Sequence, residues 1–121
     1  MIWIRVASGF MFLGVAMGAM GAHLWKEKLG AGSLEIFQKG VLYHLIHGLA
    51  LFGVAWLSTI FRSKAVDWAG VLFSLGIVLF SGSLYIIALT GIKKFGMIAP
   101  IGGLLFLFGW LILLFLPSSR I

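Results

Sequence analysis

Residues 40–61 read GVLYHLIHGLALFGVAWLSTIF, a run without a single Asp, Glu, Lys or Arg. At 1.5 Å per residue such a run is long enough, as an α-helix, to cross a hydrocarbon core of about 30 Å. Three more stretches of the same kind flank it: about Trp3 to Leu24, Asp67 to Thr90, and Gly96 to Leu116. Charges punctuate them: Arg5, Lys26, Glu27 and Lys28, Lys39, Arg62, Lys64 and Asp67, Lys93 and Lys94, and Arg120. The alternating polarity of a membrane β-barrel is absent. Helices are the other way to satisfy every backbone group in lipid. The expected fold is therefore all-α, an integral membrane bundle of four transmembrane helices formed by one domain over residues 1–121.

Composition agrees with lipid as the main solvent. Of the 121 residues, 62% are hydrophobic and 10% charged, too little polar material to cover a soluble domain of this size. The net charge of +6 comes from cations between the apolar runs, where phosphate headgroups meet them. No basic stripe is interleaved with aromatics, so nucleic acid is not an expected partner. The chain has no Cys, which excludes disulfides and thiolate chemistry. Small residues from Ala16 to Ala22 imitate a signal-peptide cleavage site. Gly14, Gly18 and Ala22, four apart, instead suggest a stripe for close helix packing, and the first helix is expected to stay.

The connections differ. Residues 62–66 and 91–95 are short, which makes spans two and three, and three and four, antiparallel neighbours. Residues 25–39 are longer. Gly30, Gly32 and Ser33 interrupt them, and Ser33 is read as capping a short interfacial turn, Leu34–Lys39. Asp67 is read as the N-cap of span three, with Trp68 at headgroup depth. One side of the membrane carries Arg5, Arg62, Lys64 and Arg120, the other Lys26, Lys28, Lys39, Lys93 and Lys94, too even a division to orient the chain.

Polar side chains inside a membrane are costly, so their depths carry information. His23 ends span one. His44 and His47 lie roughly 6 and 10 Å inside the start of span two. Tyr85 and Ser83 lie roughly 8 and 10 Å inside the same leaflet, counted from Thr90. Pro100, Gly102 and Gly103 begin span four there. The opposite leaflet holds only Ser8, Ser58, Thr59 and Ser74, which can bond their own helices. Polarity is thus one-sided. Tyr43 and His47, four apart, share a helical face, as do His44 and His47, three apart.

Two readings of this cluster stand side by side. In the first, the histidines bridge helices by hydrogen bonds, each worth about 0.6–2 kcal/mol; in the second, they line a polar pocket. Metal binding would recruit His23, His44, His47 and Glu35, but a His-x-x-His spacing without a third firm ligand is a weak signal. Haem would need axial histidines on facing helices, His23 with His44 or His47. An anion would sit at the first turn of span four, beside Lys93 and Lys94, where Pro100 leaves the Gly96 carbonyl unpartnered. Otherwise Gly102 and Gly103 serve close packing against span one. No nucleophile–base pair is spaced for catalysis. No cofactor, no metal and no enzymatic activity are expected.

Four motifs occur in order: Gly18-Ala19-Met20-Gly21-Ala22-His23; Tyr43-x-x-x-His47-x-Leu49-Ala50; Phe80-Ser81-Gly82-Ser83-Leu84-Tyr85-x-x-Ala88-Leu89; and Pro100-x-Gly102-Gly103 with Gly109-Trp110. Together they resemble domain-of-unknown-function family 423, the YgdD- and YwdK-like bacterial membrane proteins, related to eukaryotic transmembrane protein 256. The resemblance covers nearly the whole chain. It implies a small multi-pass protein of the cell (inner) membrane and carries no activity with it. It also implies that the family uses His23, Tyr43, His47, Ser81, Ser83, Tyr85 and Pro100. His44 stands where the family pattern implies Gln, and Ala99 where it implies Thr, so His44 reads as a hydrogen-bonding substitute. The sequence thus points to a non-enzymatic accessory or small-molecule binding bundle. A transporter or cofactor-binding protein is the alternative. Membrane lipids are the expected partners, with a homo-oligomer or a larger membrane complex left open.

Overall fold

A computed structural model describes residues 2–117; Arg120, expected to bound span four, lies outside them. The described chain is helical throughout its four spans. Helix α1 covers Ile2–His23 and α2 covers Ala31–Leu57. The third span is one rod in three parts: α3 (Lys64–Gly76), a π-helical segment (Ile77–Ser81) and α4 (Gly82–Thr90). A 3₁₀ turn (Lys93–Met97) leads into α5 (Ala99–Leu114).

Several ends differ from the sequence reading. The Leu34–Lys39 turn is continuous with α2, which starts at Ala31 rather than Gly40. Its N-cap is Gly30, without a side-chain bond, and Ser33 lies inside the helix. With Glu35 and Lys39 both exposed, nothing in this stretch forces the helix to break at the interface. At α3 the cap is Ser63, whose hydroxyl accepts from the Ala65 N–H at 3.1 Å; Asp67 sits in the first turn instead. Span four reaches α-helical form at Ala99, so Pro100 falls in the first turn, where its missing N–H costs nothing. Gly91 closes α4 with φ of 74°, a left-handed cap that suits Gly.

Helix α1 packs along α2, α5 packs on α3 and the π segment, and α2 packs on α3, the π segment and α4. Lipid supplies no hydrophobic drive between helices, so close approach through small residues has to supply contact. On α1 the buried positions are Ala7, Gly14 and Gly21, spaced seven apart. A Cβ at Gly21 would lie 2.5 Å from the Phe37 ring, and one at Gly14 would lie 2.8 Å from Leu45. Gly18 is in ordinary contact range of Val41, and Ala22 is exposed. The seam therefore follows a seven-residue step, and Ala22 lies off it.

A second close approach joins α5 to the third span. A Cβ on Gly102 would run into the backbone of Phe80 in the π segment. Gly102 thus packs against span three, not span one as the sequence suggested. The hydrophobic core gathers in the leaflet of the termini: Ala7, Leu51, Val54, Val66, Ala69, Phe73, Ile77 and Phe106. In that leaflet Ser58, Thr59 and Ser74 bond carbonyls of their own helices at 2.6–2.8 Å. The interhelical polar contacts of the other leaflet are of a different kind.

Candidate functional site

His44 ties three helices together. Its ring is buried, with Nε2 2.8 Å from the Phe10 carbonyl of α1 and Nδ1 2.8 Å from the Tyr85 hydroxyl of α4. A carbonyl only accepts, so Nε2 carries the proton and donates. The neutral ring then has its lone pair on Nδ1, and the Tyr85 O–H donates to it. Glycines make both approaches possible. A side chain at Gly14 would crowd the His44 ring, and one at Gly40 would crowd the ring of Tyr85. The Gly40 carbonyl in turn accepts from the buried Ser81 hydroxyl at 2.7 Å.

His47 carries the opposite tautomer. The indole N–H of Trp110 on α5 lies 3.0 Å from Nε2. An indole only donates, so Nε2 holds the lone pair. Nδ1 is then protonated and donates to the Tyr43 carbonyl at 2.9 Å, one turn back on α2. The Phe106 ring lies flat on the imidazole, with centroids 3.6 Å apart and planes 8° from parallel. All four ring nitrogens of the two histidines are thus engaged, and no buried side-chain nitrogen or oxygen among the described residues lacks a partner.

The residues singled out from the sequence divide into two places. Tyr85, His44 and Ser81 form the bridge among α1, α2 and the third span. Tyr43, His47, Pro100 and Gly103 instead line an open groove between α2 and α5, together with Phe80, Leu104, Phe106, Leu107 and Trp110. Its volume is about 580 Å³. His47 and Tyr85, expected in one cluster, thus bond different partners: Tyr85 takes His44, and His47 takes Trp110. His23 is exposed at the end of α1 and joins neither place. Ser83 is buried, but its hydroxyl donates to the Leu79 carbonyl of its own helix. Gly102 serves packing, and its N–H is already bonded to the Ile98 carbonyl. Among the described residues, no group of three or more His, Cys, Asp or Glu is placed to hold a metal ion. Sequence reasoning missed Phe106 and the Trp110 indole as the partners of His47. A donor-only side chain deep in a helix without other polar atoms was the available signal, since such an indole seeks an acceptor.

Residues 17–103 match a family described as protein of unknown function (DUF423). The chain belongs to this family. It is 48% identical over 101 residues to a UPF0382 membrane protein of Staphylococcus saprophyticus, covering 84% of this chain and 83% of the relative. It is 40% identical over 114 residues to the UPF0382 inner membrane protein YgdD of Escherichia coli K12, covering 94% and 86%. No solved structure matches it. With four apolar spans and relatives of this kind, the chain is a multi-pass protein of the cell (inner) membrane. On the groove, Tyr43, His47, Phe80, Pro100 and Gly103 fall within the family match, and Phe106, Leu107 and Trp110 lie just beyond it.

Proposed function

We propose that this chain is a non-enzymatic membrane bundle that holds a small molecule with an apolar body, drawn from the bilayer, in the groove between α2 and α5. The observation that carries this reading is the construction of the groove around His47. The imidazole is clamped by Trp110, the Tyr43 carbonyl and Phe106, so the groove has a fixed aromatic floor before any ligand arrives. Its walls, Phe80, Leu104, Leu107 and Trp110, suit an apolar body. The volume lies within the range of about 300–1,000 Å³ usual for small-molecule pockets.

Other chemistries fit less well. Metal or haem ligation through His47 Nε2 would break the Trp110 bond and strand a donor-only N–H, and ligation through His44 would break a bridge of three helices. A nucleophile beside a free base is the minimum for covalent catalysis, and neither histidine has a free nitrogen to act as that base. A transport path would need continuous polar walls, whereas apart from Tyr43 and His47 the side chains lining this groove are apolar or aromatic.

Native mass spectrometry of the detergent-solubilised protein tests the reading. The wild type should carry a co-purifying small molecule, and Leu107→Trp should lose it. Leu107 lines the groove and is 61% exposed, so a larger ring fills the space without entering the core. A wild type that is bare, or a variant equally loaded, overturns the proposal.

A further inference from the structure

We infer that the occupant of the α2–α5 groove is a phospholipid with an anionic headgroup, its phosphate held by Lys39, Lys93 and Lys94 and one acyl chain laid along the groove. This rests on the groove reading above and names its ligand class. Three observations converge on it.

The first is length. From Pro100 to Trp110 the α5 wall rises by ten residue steps, about 15 Å, which is the depth of one leaflet of a core about 30 Å thick. The second is charge at the mouth. Lys39 lies four residues before Tyr43 on α2, so it sits on the same face about 6 Å further out. From the other wall, Lys93 and Lys94 occupy the exposed 3₁₀ turn that feeds α5 just ahead of Pro100. Along both walls, then, the chain carries cations just outward of the lining residues, one turn before Tyr43 on α2 and in the turn before Pro100. Among the described residues only Lys39 has a carboxylate partner, Glu35 at 3.7 Å, and that pair is too exposed to compete strongly with a phosphate. The third is what lies between headgroup and chain. Tyr43 is 40% exposed one turn below Lys39, and its hydroxyl makes no hydrogen bond among the described residues. That is the depth of a glycerol ester, an acceptor such a hydroxyl can satisfy. A neutral apolar molecule would use the groove alone, whereas a phospholipid uses the groove and the cations outward of it.

The test uses the intact protein in nanodiscs of equal phosphatidylglycerol and phosphatidylcholine with matched chains. Lipid retained on release is counted by native mass spectrometry. The wild type should retain phosphatidylglycerol in preference. Lys39→Gln, Lys93→Gln and Lys94→Gln should each lower that preference about fivefold. Lys26→Gln with Lys28→Gln, in the same leaflet but away from the groove, should leave it unchanged. Equal retention of the two lipids, or an equal loss in the Lys26/Lys28 variant, overturns the inference. Leu107→Trp separates the two levels. If it releases bound lipid while the lysine variants change nothing, the groove stands and the anionic headgroup falls. If it releases nothing, both fall.

Discussion

His44 and His47, three residues apart on one helix, show how donor and acceptor chemistry decides protonation where depth cannot. The Phe10 carbonyl forces a proton onto His44 Nε2, and the Trp110 indole forces one off His47 Nε2. A Gln at position 44 can reproduce both bonds, its amide donating to the Phe10 carbonyl and its oxygen accepting from Tyr85. His44→Gln should therefore change stability by less than about 1 kcal/mol, whereas His44→Leu, which strands the Tyr85 hydroxyl, should cost about 1–3 kcal/mol. Thermal unfolding in detergent distinguishes the two, and equal losses would count against the bridge. At His47 the corresponding prediction is a cycle. Trp110→Phe and His47→Leu should each cost about 0.6–2 kcal/mol, and together less than their sum. Additive losses would mean the indole and imidazole act independently. The sequence placed His44 and Tyr85 at similar depths, where they do meet, because helical rise converts residue number to depth. It did not assign Tyr85 to His44 rather than His47, because depth carries no information about direction around a helix axis. Nor could it name the Phe10 carbonyl, since every residue has one.

Within the elements, glycine positions separate those that touch from those that merely lack a side chain. Gly102 and Gly103 are neighbours in sequence, yet an added Cβ meets the Phe80 backbone at the first and lies 3.8 Å from a Phe80 ring atom at the second. Gly102→Ala should cost about 1–3 kcal/mol or more, because backbone cannot swing aside, and Gly103→Ala should be nearly neutral. A thermal shift of the same size for both would refute this account of the α5 contact. The π segment belongs to the same contact. It adds a residue to the turn around Phe80 and Ser81, and Gly82 bonds back to the Ile77 carbonyl. No composition signal marks such a register change, which is why Phe80-Ser81-Gly82-Ser83 was legible as a motif but not as a π turn. The α1 seam was legible in part: Gly14 and Gly18 meet α2, and Ala22 lies off the seam. Residues four apart rotate roughly 40° per step around a helix, and residues seven apart only about 20°, so Ala7, Gly14 and Gly21 stay on one seam while the four-residue series that starts at Gly14 has wound off it by Ala22.

Across the molecule, the four spans and their charged borders were readable because lipid permits so few alternatives. How α1 is held at its two ends was not. Toward the Lys26 end it rests on α2 through Gly14 and Gly21. At the opposite end Trp3 reaches past α2, its indole N–H donating to Asp67 Oδ1 at 2.7 Å and its ring lying over Gly70 of α3. These residues are far apart in sequence, and Asp67 could be read only as a local cap. The contact makes α1 part of a three-helix arrangement and gives Asp67 a second favourable position, near the positive end of the α3 dipole. If it locates α1, Trp3→Phe, which removes the N–H but keeps a ring over Gly70, should lose about 0.5–1.5 kcal/mol, the net worth of one hydrogen bond. Asp67→Asn should lose less, because its side-chain oxygen still accepts. Asp67→Leu should approach the Trp3→Phe loss, and the double variant Trp3→Phe with Asp67→Leu should fall short of the sum. Gly70→Ala should destabilise through the other half of the contact, since its Cβ would lie 2.5–2.7 Å from three Trp3 ring atoms. Unfolding of the purified variants in one detergent measures all of these. A wild-type response to Trp3→Phe together with tolerance of Gly70→Ala would show that α1 is located by α2 alone.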